Sequence, residues 1–293
     1  DNKQDSKIDF TAAVDGEFTI RIRDHLGKGG DNYIYRIESE PVYPSLALTI
    51  PYFGRADYQS RQMIYVAQGN RFVTRMNAAR SNFGGDLVFE ANDLPQGIKL
   101  ISHGMNSSIN TGLISFEASQ DAPIGGKLIN LVARHADSAK NISGHFSQPL
   151  DFVLGAPNNT VYYKSNANKL AVAVVEEIPF KLNIVPPTVP LVRNGTLGLK
   201  VVAERKDGFD APITVRMLWN PPGIGSQPTM QIPKGQNEIT YTINANSGAA
   251  LKTWHMAFMG ESTAGNGQIL ASTELTPVTV AEPYLGMKIE MAA

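Results

Sequence analysis

Gln68-Gly69-Asn70, Ala79-Arg80, Asn82-Phe83-Gly84 and Leu94-Pro95-Gln96-Gly97-Ile98 mark out a stretch that returns later in the chain. The second copy reads Asn194-Gly195-Thr196, Glu204-Arg205, Gly208-Phe209 and Asn220-Pro221-Pro222-Gly223-Ile224. Phe83 and Gly97 stand 14 positions apart, as do Phe209 and Gly223; Gly69 to Arg80 is 11 and Gly195 to Arg205 is 10. Two copies of one β-rich unit predict an array of like domains, in which a scaffold is repeated and a catalytic site need not be.

Outward from the repeat, apolar and polar residues alternate with a period of two rather than 3.6. In Glu17-Phe18-Thr19-Ile20-Arg21-Ile22-Arg23 the apolar side chains fall on one face, as in a half-buried strand. The glycines of Asp24-His25-Leu26-Gly27-Lys28-Gly29-Gly30-Asp31 then make a loop, and Tyr33-Ile34-Tyr35-Arg36-Ile37 resumes the alternation. Further strands are expected at 46–50, 62–67, 71–78, 86–91, 98–102, 112–118, 127–134, 149–153 and 170–176. In the second copy they are expected at 180–185, 196–203, 212–219, 228–232, 237–243, 252–260, 268–272 and 275–281. Short strands separated by turn residues predict a sandwich. Helix is nearly absent, with at most a turn near 136–140.

Each copy closes in a β-branched run followed by an acidic residue and a proline, Leu170 to Pro179 and Thr276 to Pro283. The fold expected is therefore all-β, two tandem immunoglobulin-like sandwiches at 42–178 and 179–293, preceded by a short β segment at 1–41. Residues 155–168 have no counterpart in the second copy and read as an inserted loop. The apolar face formed by Phe18, Ile20, Ile22, Tyr33, Tyr35 and Ile37 is expected to dock on the first repeat or on another chain, since water opposes leaving it bare.

The chain's 293 residues suffice for two domains and part of a third. Its 26 basic and 27 acidic residues leave a net charge of -1, which argues against nucleic acid as a partner. With no cysteine, disulfides, thiolate metal sites and a cysteine nucleophile are excluded. No apolar run is long enough for a transmembrane helix, and Asp1-Asn2-Lys3-Gln4-Asp5 is too polar for a signal-peptide core. An export signal, if the protein has one, is expected upstream.

Arg80 and Arg205 stand at equivalent places just before Phe83 and Phe209. Each guanidinium is read as satisfying loop carbonyls or a carboxylate, and each phenylalanine as buried at a sandwich end. Trp219 and Trp254 lie in alternating apolar runs and read as core rather than as a sugar platform. His25, His103, His135, His145 and His255 form no His-x-His or His-x-x-x-His pair and read as surface or loop residues. Asp24 and Asp31 flank a turn but fall short of the six to eight oxygens a calcium site needs. No nucleophile elbow and no phosphate loop before a helix is present. No catalytic residue, cofactor site or metal site is expected.

Residues Gly16 to Ile37, above all Gly29-Gly30-Asp31-Asn32-Tyr33-Ile34-Tyr35-Arg36, closely resemble the second half of the bacterial pre-peptidase C-terminal domain. The form it resembles is that of large secreted proteins and proteases of planctomycete-type bacteria. This resemblance covers about residues 8–41, and 42–293 resemble the immunoglobulin-like repeats that follow that domain. It implies an extracytoplasmic accessory region, periplasmic, surface-bound or secreted, whose partners are other domains of a parent protein.

The function expected is thus a non-catalytic spacer or interaction module of an exported multidomain protein, not an enzyme. The alternative is a carbohydrate- or polymer-binding accessory domain that uses Tyr52, Phe53, Tyr58, Tyr162 and Tyr163. These aromatics lie in segments that the second copy lacks, and an extracellular protein or polysaccharide would be their partner.

Overall fold

The structure, a computed structural model, describes residues 8–51, 62–158, 160–265 and 267–284. The chain divides into two compact units, Asp1–Pro44 and Ser45–Ala293.

In the first unit the described residues form no strand, contrary to the pattern at 17–23 and 33–37. The loop between those segments folds on itself instead. The Asp24 carboxylate accepts the Leu26 and Lys28 backbone N–H groups at 2.9 Å each, and Gly27 N donates to Asp24 O at 3.1 Å. Phe18, Ile20, Ile22, Tyr33, Tyr35 and Ile37 are each at least half exposed. The physical reason is that two strands alone gain too little burial to hold a hairpin together in water.

The second unit is all-β. Its first half contains β1 (Ser45–Thr49), β2 (Ile64–Ala67), β3 (Arg71–Ser81), β4 (Leu87–Asn92), β5 (Ile98–Ser102), β6 (Thr111–Ala118), β7 (Gly125–His135), β8 (Ser143–Phe146), β9 (Gln148–Gly155), β10 (Thr160–Ala167) and β11 (Leu170–Val175). A 3-10 turn at Ser138–Lys140 stands where at most a turn was expected. One layer runs β1-β3-β6-β5 and the other β2-β11-β7-β4, with β8 bridging β7 to β1.

The second half contains β12 (Phe180–Ile184), β13 (Leu191–Val192), β14 (Thr196–Arg205), β15 (Ile213–Met217), β16 (Ile224–Ser226), β17 (Met230–Ile232), β18 (Glu238–Ala245), β19 (Thr253–Met256), β20 (Phe258–Ala264), β21 (Gly267–Ser272) and β22 (Thr276–Ala281). One layer runs β12-β14-β18-β16. The other places β13 and β19 on either side of β22, and β15 beside β20. Since β19 and β20 are one strand interrupted at Ala257, the two halves have the same strand order. That order is the ABED and CFG layering of immunoglobulin-type sandwiches.

Matched hydrogen bonds refine the alignment of the repeats. Asn70 N donates to Ala67 O and Ala118 N to Asn70 O; Gly195 N donates to Val192 O and Ala245 N to Gly195 O. Asn70 therefore corresponds to Gly195, and Gly69 to Asn194. Both members of the latter pair are left-handed, at φ 65° and 58°, a conformation open to Gly and Asn. One residue of slippage explains why the two spacings read 11 and 10. Gly97 and Gly223 do correspond: each has positive φ, each follows the same Pro-initiated turn, and a Cβ on either would collide with Ala122 or Ala249.

The halves do not hang as separate beads. Glu176 to Pro179 alone connect β11 to β12, and Leu218, Ala257, Met259, Leu270 and Leu275 of the second half belong to the hydrophobic cluster of the first. Polar contacts seal the joint. Asn70 Nδ2 donates to Phe180 O and Val73 N to Ser272 Oγ, both at 2.9 Å. Arg71 lies between Glu117 at 3.3 Å and Glu274 at 3.5 Å. Buried backbone N–H groups require such partners, so these contacts fix the register of one sandwich on the other.

Candidate interaction surface

The repeated Arg and Phe positions are structural. Arg80 donates to the carbonyl of Ile109 at 2.8 Å and to Asn110 Oδ1 at 2.9 Å, with Met105 O and Asn106 O at 3.4 Å. Arg205 donates to Ala211 O at 2.6 Å and Gln236 O at 2.9 Å. Five donors in a fixed fork suit this gathering of loop carbonyls. Phe83 and Phe209 are half-buried rather than fully buried: each packs at the edge of its hydrophobic cluster, with His135 beside Phe83, and Phe180 and the Arg205 guanidinium beside Phe209. Trp254 is buried and meets half-buried Trp219 edge-on at 5.6 Å, in keeping with a core role.

Two histidines, His135 and His255, depart from the sequence reading, while His25, His103 and His145 are exposed as expected. His135 ends β7 and is buried, with Nε2 at 3.0 Å from Gly84 O and Nδ1 accepting the Asp137 N–H at 2.9 Å. His145 lies in β8 and half-buried His255 in β19, where it stacks on His103. Isolated histidines carry no periodic signal, so their pairing across the fold was not legible. Asp24 spends its carboxylate on its own turn, and among the described residues no group of three or more His, Asp or Glu side chains could hold a metal ion.

An open groove of about 500 Å³ lies along the connection between the sandwiches, lined by Ile124, Val175, Ile178 and Ile269 with Glu176 and Glu177. Hydrogen bonds from Lys206 and Gln120 hold the Glu177 carboxyl below the usual range. Among the described residues its lining sets no Ser, Thr, Cys or His beside those carboxylates.

The segment expected as a loop at 155–168 is instead half of a two-stranded sheet. β9 and β10 pair from Thr160 with Gly155 to Ala167 with Gln148, and neither pairs with another strand. The run Thr160-Val161-Tyr162-Tyr163 after Pro157-Asn158 is the signal that would have located β10. Gln148 ties its base down, its Oε1 accepting the Ile50 N–H at 2.8 Å. Beyond that base Phe152, Tyr162 and Tyr163 are 63%, 62% and 60% exposed, alongside exposed Val153 and Leu154.

The rings of this hairpin differ in what they do. Tyr162 stands at a register shift, lies over Gly155, and donates its hydroxyl to Ala156 O at 2.7 Å, so it braces the turn. Tyr163 meets Phe152 edge-to-face, centroids 6.3 Å apart and planes at 64°. Tyr52, Phe53 and Tyr58, the other aromatics singled out, lie outside the described residues. Sequence reasoning missed Phe152, Val153 and Leu154, the apolar half of this surface.

No protein-family model and no curated protein matches this sequence. Among solved structures, the chain is similar to the fibronectin(III)-like modules of Clostridium thermocellum CbhA at 11% identity, covering 84% of this chain and 100% of that one, TM-score 0.24. The D00-D0 domain of intimin is 12% identical over 81% of this chain and 100% of its own, TM-score 0.24. Domains 4–9 of the surface layer protein SbsC are 12% identical over 79% of this chain and 32% of theirs, TM-score 0.28. The sandwich assignment rests on strand order, to which these likenesses add nothing.

Proposed function

We propose that this chain is a non-catalytic module of an exported multidomain bacterial protein, holding its neighbours apart and presenting an interaction surface. On this reading residues 1–41 are a pre-peptidase C-terminal-like segment, and 42–178 and 179–293 are immunoglobulin-like modules. The observation that carries the reading is the joint between the sandwiches. A short connection and a hydrophobic cluster drawn from both halves make a stiff unit, as a spacer requires and a flexible tether would lack.

A shared core couples the unfolding of what it joins, so thermal or denaturant unfolding of the full chain should show one transition for both sandwiches. Two separate transitions would defeat the stiff-spacer reading. Assay against esters, glycosides and peptides addresses the enzyme question directly; turnover abolished by one substitution would overturn the non-catalytic reading.

The solvent-facing rings of β9–β10 favour a second reading, recognition of an extracellular polymer or protein. Sugar binding by stacking wants coplanar rings, whereas Phe152 and Tyr163 stand edge-to-face. Gel mobility in soluble polysaccharides, for the native chain and for Tyr163→Ala, separates these cases. Retardation lost in the variant supports the polymer, and equal mobility with and without polysaccharide removes it.

A further inference from the structure

His103, in the loop after β5, and His255, on β19, lie face to face across the joint between the sandwiches. Their ring centroids are 3.5 Å apart and their planes within 3° of parallel. His103 faces water while His255 is half-buried, and neither ring hydrogen-bonds to another described residue. The same loop is held from the second sandwich by Lys252. Its ammonium lies 4.0 Å from the centroid of the Trp254 ring and donates to Asn106 Oδ1 at 3.3 Å and Ser108 Oγ at 3.4 Å. We propose that the His103–His255 stack is a proton-sensitive joint, closed while the rings are neutral and parted when both carry charge.

The charged groups on the surrounding elements leave an imidazolium uncompensated. The cations on those elements are Lys252 before β19, Arg75 and Arg80 on β3, Lys99 on β5 and Arg216 on β15. The carboxylates are engaged elsewhere: Asp86 accepts from Ser107 N and Asn106, Glu117 pairs with Arg71 and Lys99, and Glu261 pairs with Arg216 and Gln268. The opposite strand, β22, offers Pro277 beside His255.

One cation on a neutral ring can remain stacked. A second charge at this separation is opposed by the first. Burial, and then the neighbouring His103, lowers the pKa of His255 in the folded chain. Below the ordinary histidine value the unfolded or opened state therefore binds more protons than the closed one. The contribution of the stack is complete above about pH 6.5 and is lost as the pH falls beneath it.

Hydrogen exchange by mass spectrometry on the full chain tests this, with intrinsic exchange rates corrected for pH. Amides of 103–110 and 251–257 should open about tenfold more at about pH 5 than at neutral pH, the effect of one pK unit on a titrating group. His103→Phe keeps a ring on His255 without a second charge, so the pH response of these segments should shrink to what the burial of His255 alone produces. In the same variant NMR should show His255 titrating at a higher pH. Exchange with no pH response in the native chain, or a response in His103→Phe as large as the native one, overturns the proposal.

Discussion

The first sandwich and the second share strand order, matched turns and a matched arginine, yet differ in how their last strand is reached. In the second, β21 pairs with β20 and the chain turns directly into β22. In the first, β8 pairs with β7 and the β9–β10 hairpin then intervenes before β11. Features kept in both copies hold the scaffold: Arg80 and Arg205 gather loop carbonyls, and Gly97 and Gly223 admit an alanine at the same place. What one copy alone carries contributes little to either core and leaves apolar rings in water. The difference separates folding from recognition more sharply than any single residue does.

If that division holds, matched positions should respond alike. The largest loss is expected at Phe116 and Ile243, which occupy equivalent places on β6 and β18 and are fully buried. Truncation to alanine should cost about 3–5 kcal/mol at the first and about 2–5 at the second, read by denaturant unfolding. A cost confined to one copy would break the equivalence.

Next come Gly97→Val and Gly223→Val, for which left-handed backbone alone costs about 1–3 kcal/mol before the collision with alanine is counted. Both should lower the unfolding midpoint; a neutral result at either would show that turn able to rearrange. Arg80→Ala and Arg205→Ala should each cost about 1–2 kcal/mol, since loop carbonyls lose charged donors while water replaces part of the loss. Phe83→Ala and Phe209→Ala should cost about 1–2 kcal/mol, below a core phenylalanine because half of each ring already meets solvent. Values of 3 or more would place both rings in the core.

The smallest effect is expected in the hairpin, where Phe152→Ser and Tyr163→Ser should change stability by no more than about 0.5 kcal/mol. A larger loss would mean that β9–β10 belongs to the scaffold after all, and the contrast between the copies would fail. The same two variants, passed through the polysaccharide gel, show whether the surface recognises polymer.

Much of this fold was legible because its signals are local. Alternation placed most strands, Pro and Gly placed the turns, and the repeat announced two like sandwiches before any pairing was known. Legibility failed where local signals conflict with what burial can support. Phe18, Ile20 and Ile22 alternate as a strand should, but without a third strand or a core to cover them the backbone does not pair. In the opposite direction, 155–168 reads as a polar loop through Asn158 and Asn159, while Val161, Tyr162 and Tyr163 turn it back along β9.

By itself the sequence determined the all-β class, the duplication and the residues each copy must keep, because turns and alternation act between neighbours a few positions apart. Only the tertiary structure decided that the sandwiches share a core, that Arg71 meets Glu274, and that His103 lies on His255. Those contacts join residues more than a hundred positions apart, and no periodicity along a chain records which side chains burial will bring together.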